Sequence, residues 1–191
     1  MGKFQRLLVR IAQALERAGI PYMVIGAQAV LVHGRPRFTG DIDITLGIDI
    51  DQLSRLQKIA EGISLRPLRP DFEQFAKQTY VFTVVEDETS IKVDFVFSFT
   101  EYEKKAMRRT KSIEIGGTKV SYASAEDTVI HKIVAGRPLD IEDARSIINI
   151  QPTLDRSYIR KWLKMLSEVV ARDLVKEYNE IENRISQSRR K

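Results

Sequence analysis

Gly40-Asp41-Ile42-Asp43-Ile44-Thr45-Leu46 opens with two acids one residue apart and continues as an apolar, β-branched run. Side chains alternate in an extended chain, so Asp41 and Asp43 leave on one face while Ile42 and Ile44 enter a core. Like charges held side by side repel, which raises a pKa unless a cation stands between them. Hard oxygen donors of this kind suit Mg²⁺ or Mn²⁺. An Asp-x-Asp pair also occurs at solvated strand ends, so a further acid has to decide the reading.

That acid is Asp94, in Ile91-Lys92-Val93-Asp94-Phe95-Val96-Phe97, a run rich in β-branched and aromatic residues that reads as a strand. A mid-strand carboxylate points to water, meets a cation or accepts several hydrogen bonds, because burying it unpaired is costly. Lys92, Val96 and Ser98 share its parity, which fits an outward, solvated face. With the two strands adjacent, Asp94 would instead join Asp41 and Asp43 in a three-carboxylate group able to hold two divalent ions about 3.5–4 Å apart. Upstream, Tyr22-Met23-Val24-Ile25 reads as a short strand and Gly26-Ala27-Gln28-Ala29-Val30-Leu31-Val32-His33 as a helix. Gly26 lets the backbone turn sharply between them, and the first N–H groups of the helix favour phosphate.

Ile25-Gly26-Ala27, a spacer, and Asp41-Ile42-Asp43-Ile44 together resemble the signature of the nucleotidyltransferase superfamily that includes DNA polymerase β. Arg35-Pro36-Arg37-Phe38-Thr39-Gly40-Asp41-Ile42-Asp43 is similar to its compact prokaryotic branch related to abortive-infection toxins. So are Ser124-Ala125-Glu126-Asp127-Thr128-Val129-Ile130-His131-Lys132 and Arg137-Pro138-Leu139-Asp140-Ile141-Glu142-Asp143, within a likeness running from about Tyr22 to Ile150. Ala27 departs from the Gly or Ser of the signature and removes a hydroxyl while leaving its backbone N–H.

The resemblance implies a small mixed β-sheet nucleotidyltransferase core of the α+β (α/β-like) class, flanked by helices. It also implies roles. Asp41, Asp43 and Asp94 would ligate Mg²⁺ or Mn²⁺, with Asp94 helping to deprotonate an attacking hydroxyl. Gly26, Ala27 and Gln28 would lie at the triphosphate, and Arg35, Arg37, Lys132 and Arg137 would supply further cations. A nucleoside monophosphate would pass from a nucleoside triphosphate such as ATP to an acceptor, and the resemblance leaves RNA, a protein and a small molecule such as an aminoglycoside all open. A toxin paired with a cognate antitoxin follows from the branch alone. Ala27 motivates the alternative of a catalytically inactive relative that binds nucleotide or a partner, and a two-metal nuclease ranks last.

Composition narrows the class. A chain of 191 residues with 43% hydrophobic content can bury a real core. With no cysteine there is no disulfide framework, thiol nucleophile or cysteine zinc site, and His33 and His131 are the only histidines, both read as structural. Carboxylates are the metal ligands in supply. The opening Met1-Gly2-Lys3-Phe4-Gln5-Arg6 carries charge where a signal sequence would be apolar, and no stretch reaches membrane-spanning length, so the expected location is the cytoplasm. Net charge is +5, but Arg184, Arg189, Arg190 and Lys191 follow the last acid, Glu182. The body is therefore nearly neutral, which argues against a broad DNA-binding face.

The rest of the pattern predicts a core over residues 1–122 and a helical C-terminal region over 123–191. Phe4, Leu7, Leu8, Ile11, Ala12, Ala14, Leu15 and Ala18 form a helical stripe closed by Gly19 and Pro21. A helix is expected from about Asp51 to Ala60 after a cap at Asp49 or Asp51, and another over Phe99–Arg108. Thr79–Glu86 with Ile91–Phe97 reads as a hairpin, as do Ile113–Ile115 and Lys119–Tyr122 around Gly116-Gly117. Ser124 and Asp127 have the spacing of a capping box. Tyr158, Trp162, Leu166, Val169, Val170, Leu174, Tyr178, Ile181 and Ile185 predict one long amphipathic helix or two consecutive ones. The part beyond Leu174 either covers the core or forms a homodimer or antitoxin contact.

Overall fold

Alternating apolar runs around glycine turns leave the first two-thirds of the chain little choice but a sheet. The computed structural model describes residues 1–98 and 100–188. Among them the chain divides into two compact units, residues 1–28 with 38–123, and residues 29–37 with 124–188.

The first unit begins with helix α1 (Lys3–Arg17), whose buried stripe runs through Leu7, Leu8, Ile11, Ala12, Ala14 and Leu15. Gly19, at φ +65°, ends it. Seven strands follow: β1 (Tyr22–Val24), β2 (Asp41–Leu46), β3 (Leu65–Pro67), β4 (Val81–Glu86), β5 (Lys92–Phe97), β6 (Lys111–Ile115) and β7 (Thr118–Tyr122). They form one sheet in the order β3-β4-β5-β2-β1-β7-β6. β2 lies parallel to β5 and β1 parallel to β7, and the other neighbours are antiparallel, so the sheet is mixed as expected. One face is apolar. Ile42 and Ile44, Val93 and Phe95, and Phe82 and Val84 are all buried, and the Phe82 and Phe95 rings stack with centroids 6.4 Å apart.

Helix α2 (Gly26–His33) begins in this unit and continues into the second. The helix expected near Asp51 is a 3₁₀ turn (Ile50–Gln52), capped by the Asp49 carboxylate, followed by α3 (Leu53–Glu61). The helix expected over Phe99–Arg108 is α5 (Glu101–Met107), opened by a Thr100–Glu103 capping box; Phe99 lies outside the described residues. Both hairpins form, although the first starts at Val81 because Thr79 closes an unforeseen helix, α4 (Phe72–Thr79). Among the described residues no helix is long and apolar enough to cross a membrane.

The second unit holds the rest of α2, its following loop, and α6 (Ala125–Ala135), α7 (Pro138–Ile150), α8 (Arg156–Val170) and α9 (Leu174–Ser188). Ser124 caps α6 by accepting a hydrogen bond from the Asp127 N–H at 3.1 Å. The buried Asp127 carboxylate in turn accepts from the Ser124 hydroxyl at 2.6 Å and the Tyr158 hydroxyl at 2.8 Å. Ala171, in the left-handed region at φ +53°, breaks the C-terminal stripe into two helices. Arg172 then donates to the carbonyls of Val134 and Ile133 at the end of α6, at 2.9 and 3.2 Å. Leu174, Tyr178, Ile181 and Ile185 are buried, so this part of the stripe covers the core of the second unit.

Candidate active site

The parallel register of β2 and β5 sets Asp41 opposite Lys92 and Asp43 opposite Asp94. Paired residues on neighbouring strands point to the same side of a sheet, so Asp43 and Asp94 share the face that the apolar rows leave free. β4 extends the row by placing Thr83 opposite Asp94. Asp41, Asp43, Asp94 and Thr83 are all partly exposed, while Ile42, Ile44, Val93 and Phe95 between them are buried. Alternation thus produces an acidic surface backed by a solid core.

Gly26 closes this surface on one side. Its φ is +61°, and a Cβ built on it would stand 1.9 Å from Asp43 Oδ2. The Asp43 carboxylate therefore occupies the space that any larger residue would fill. The Ile25 N–H donates to the Asp43 carbonyl at 2.9 Å, which ties the turn before α2 to β2. The first N–H groups of α2, at Gly26, Ala27 and Gln28, have no partner one turn back in their own helix. Ala27 and Gln28 are themselves buried, so what they present here is backbone.

The acids are held by hydroxyls. Thr39 donates to Asp41 Oδ1 at 2.9 Å, and Thr83 donates to Asp94 Oδ1. Among the described residues no three His, Asp or Glu side chains stand gathered as a ready-made ion cage. The donor set is all-oxygen, as Mg²⁺ or Mn²⁺ requires, and the missing side chain at Gly26 is what lets the Asp43 carboxylate sit against the turn before α2.

The predicted cations are placed differently. In the second unit the Lys132 ammonium is buried and lies 2.8 Å from Asp140 Oδ1 and 2.9 Å from Asp143 Oδ2. Arg37 donates two hydrogen bonds to the Asp143 carboxylate, both at 2.9 Å, and Arg137 donates to Asp140. Burial alone would raise the Asp140 and Asp143 pKa values. Hydrogen bonds from Arg137 and Lys132 in the first case, and from Arg37 and Lys132 in the second, outweigh it, so both carboxyls sit below the ordinary range. Lys132 and Arg37 are thus committed to a buried charge network. The Arg35 side chain is exposed, and the Arg35 backbone N–H donates to the Ser146 hydroxyl at 3.2 Å.

Sequence reasoning missed Thr83, Asp140 and Asp143. Thr83 was legible in principle, since once the hairpin is paired it is the polar residue opposite Asp94 on the next strand. Asp140 and Asp143 are three apart on a helix, hence on one face, but nothing in their spacing says that Lys132 is their partner.

A mixed sheet carrying acids on two parallel neighbouring strands, beside a strand–glycine–helix turn, defines a nucleotidyltransferase-type domain. Residues 3–186 match the family described as "Nucleotidyltransferase of unknown function (DUF6036)", and the chain belongs to that family. It is similar in structure to the antibiotic-resistance factor ANT(2″)-Ia, with a TM-score of 0.57 and 16% identity over 100% of this chain and 99% of that one. It is also similar to an antigenic nucleotidyltransferase-like protein from Paracoccidioides brasiliensis, with a TM-score of 0.54 and 18% identity over 86% and 87% of the two chains. The lincomycin-bound lincosamide antibiotic adenylyltransferase LnuA gives a TM-score of 0.52 and 14% identity over 79% and 99%. No curated protein matches the sequence.

Proposed function

We propose that the chain transfers a nucleoside monophosphate from a nucleoside triphosphate to a hydroxyl-bearing acceptor, with Asp41, Asp43 and Asp94 as the catalytic acids. One observation carries this reading: the Asp43–Asp94 register on a single sheet face, with the Asp43 carboxylate filling the space beside Gly26. Asp41, Asp43 and Asp94 would hold Mg²⁺ or Mn²⁺, which when bound neutralises phosphate charge and orients the triphosphate. The backbone N–H groups of Gly26, Ala27 and Gln28 bind phosphate oxygens at the start of α2. Because these donors are backbone, Ala27 can serve in place of the Gly or Ser of the signature. Asp94 accepts the proton of the attacking hydroxyl, and Thr83 holds that carboxylate by donating its hydroxyl to Oδ1.

Purified protein incubated with α-labelled nucleoside triphosphates, Mg²⁺ and a cell extract should label an acceptor and release pyrophosphate, and Asp43→Asn should abolish labelling while leaving the fold intact. Equal labelling by wild type and Asp43→Asn would refute the assignment. A wild-type protein that binds nucleotide but labels nothing would favour the inactive-relative reading. The narrower toxin role rests on Arg35-Pro36-Arg37-Phe38-Thr39-Gly40-Asp41-Ile42-Asp43. It predicts that induced expression arrests growth and that Asp43→Asn relieves the arrest; unimpaired growth with wild type would remove it.

A further inference from the structure

Two of the three acids on the acidic face of the first unit are each held by one threonine hydroxyl. Thr83, on β4 and opposite Asp94 in the register, donates to Asp94 Oδ1. Thr39, in the segment that leads into β2, donates to Asp41 Oδ1 at 2.9 Å. An ionised carboxylate has no proton to give, so both hydroxyls must be the donors, and each spends its one proton on its acid. Among the described residues no hydrogen bond or ion pair reaches the other oxygen of Asp41 or of Asp94, and both side chains are partly exposed.

The buried acids of the chain are bonded differently. Glu86 accepts from Arg10 at one oxygen and from Thr89 at the other, and Asp127 accepts from Ser124 and from Tyr158 in the same divided way. Asp140 takes Lys132 and Arg137 on separate oxygens, and Asp143 takes one Arg37 N–H on each. A carboxylate bonded at both oxygens is spent on the fold. One bonded at a single oxygen is fixed in direction while its second oxygen stays open to a ligand. A cross-strand Thr–Asp pair can also serve a sheet on its own account. Thr39 belongs to no strand and makes the same contact, so strand pairing does not explain both bonds.

We propose that Thr39 and Thr83 are positioning residues of the cation site: by fixing one oxygen of Asp41 and one of Asp94, they present the other to a divalent ion. The use made of that ion rests on the nucleotidyl-transfer reading, whereas its binding is measured without nucleotide or acceptor. Full-length protein freed of metal with EDTA and dialysed is titrated with Mn²⁺, and the free ion is read from its electron paramagnetic resonance signal. Thr39→Val and Thr83→Val keep the branched shape and remove the hydroxyl, and each should weaken Mn²⁺ binding by about tenfold or more, the usual scale for losing a partner that orients a metal ligand. Thr39→Ser and Thr83→Ser keep the donor and should bind nearly as wild type does. Urea midpoints of all four variants identify any loss that comes from unfolding. Valine variants that bind Mn²⁺ as tightly as wild type would reduce both threonines to braces of the fold and overturn the proposal. Equal losses in the valine and serine variants would assign the effect to the missing methyl or to packing, and would overturn it too, as would a wild type that takes up no Mn²⁺. Failure of the transfer reading looks different: the valine variants lose Mn²⁺ and the serine variants keep it, yet no protein labels an acceptor.

Discussion

Gly26 and Asp43 constrain each other, because the glycine is needed twice over at one point. A non-glycine residue at φ +61° is strained by about 1–2 kcal/mol, and its Cβ would overlap the Asp43 carboxylate. Gly26→Ala should therefore lower unfolding free energy by at least about 1–2 kcal/mol and reduce nucleotidyl transfer by at least about tenfold, since Asp43 must rotate away. Urea titration and label transfer read the two effects separately; an alanine variant of full activity would show that Asp43 need not sit there. Lys132 has the opposite character. Its ammonium is enclosed by Asp140 and Asp143, so Lys132→Met leaves buried carboxylates short of a partner and should cost about 3–5 kcal/mol. A loss under about 1 kcal/mol would mean that the ammonium is available for other work. From sequence, Lys132 looked like a cation reaching for a ligand because a helical lysine is usually solvated. Only the packing of α6 on α7 reveals its partners.

Elements with a strict period were the legible ones. β2 was read over Asp41–Leu46 and β5 began within a residue of its expected start, because apolar and polar side chains alternate through Asp41–Leu46 and through Lys92–Phe95, with Val96 the one apolar residue on the polar parity of β5. β3 and α4 were not foreseen. Leu65–Pro67 is too short to show a period, and α4 has only Ala76 fully buried. The single-or-double question for the C-terminal stripe was settled at Ala171, a residue that gives no local sign of adopting φ +53°. Glycine meets no steric penalty there, so Ala171→Gly should raise stability by about 0.5–1 kcal/mol, and a decrease on thermal or urea unfolding would refute that account. The link between α7 and its neighbours is sensitive to acid. Asp140 and Asp143 have folded-state pKa values below the ordinary Asp value, so the stability they confer is present above about pH 4 and is lost as pH falls through the lower folded values. Unfolding free energy should drop as pH falls below about 4, and Asp143→Asn should have a shallower slope there. Parallel curves would place the acid sensitivity elsewhere.

Across the whole molecule, the acids were legible and their surroundings were not. Parity alone put Asp41 and Asp43 on one face, but that Asp94 joins them depends on β5 pairing with β2 in register, a contact between distant segments that no local pattern encodes. The same register has a thermodynamic consequence. Asp43 and Asp94 are like charges opposite each other on adjacent strands, an arrangement that costs roughly 0.2–1 kcal/mol and that a structural sheet has no reason to keep. Without divalent cations, Asp43→Asn should therefore be as stable as wild type or slightly more so. With saturating Mg²⁺ and a non-hydrolysable nucleoside triphosphate the order should reverse. A ligand at about 100 times its Kd stabilises the native state by about 2.7 kcal/mol, or roughly 5–10 °C in Tm for a chain of this size. Wild type should gain that shift and Asp43→Asn little of it, because removing the carboxylate leaves the repulsion relieved but the cations unheld. Thermal melts of both proteins in EDTA, in Mg²⁺ alone and in Mg²⁺ with nucleotide make the comparison. If both proteins shift equally, the acidic face is not where the ligand binds; if Asp43→Asn is less stable than wild type in EDTA, the paired aspartates stabilise the sheet and their repulsion has been overestimated.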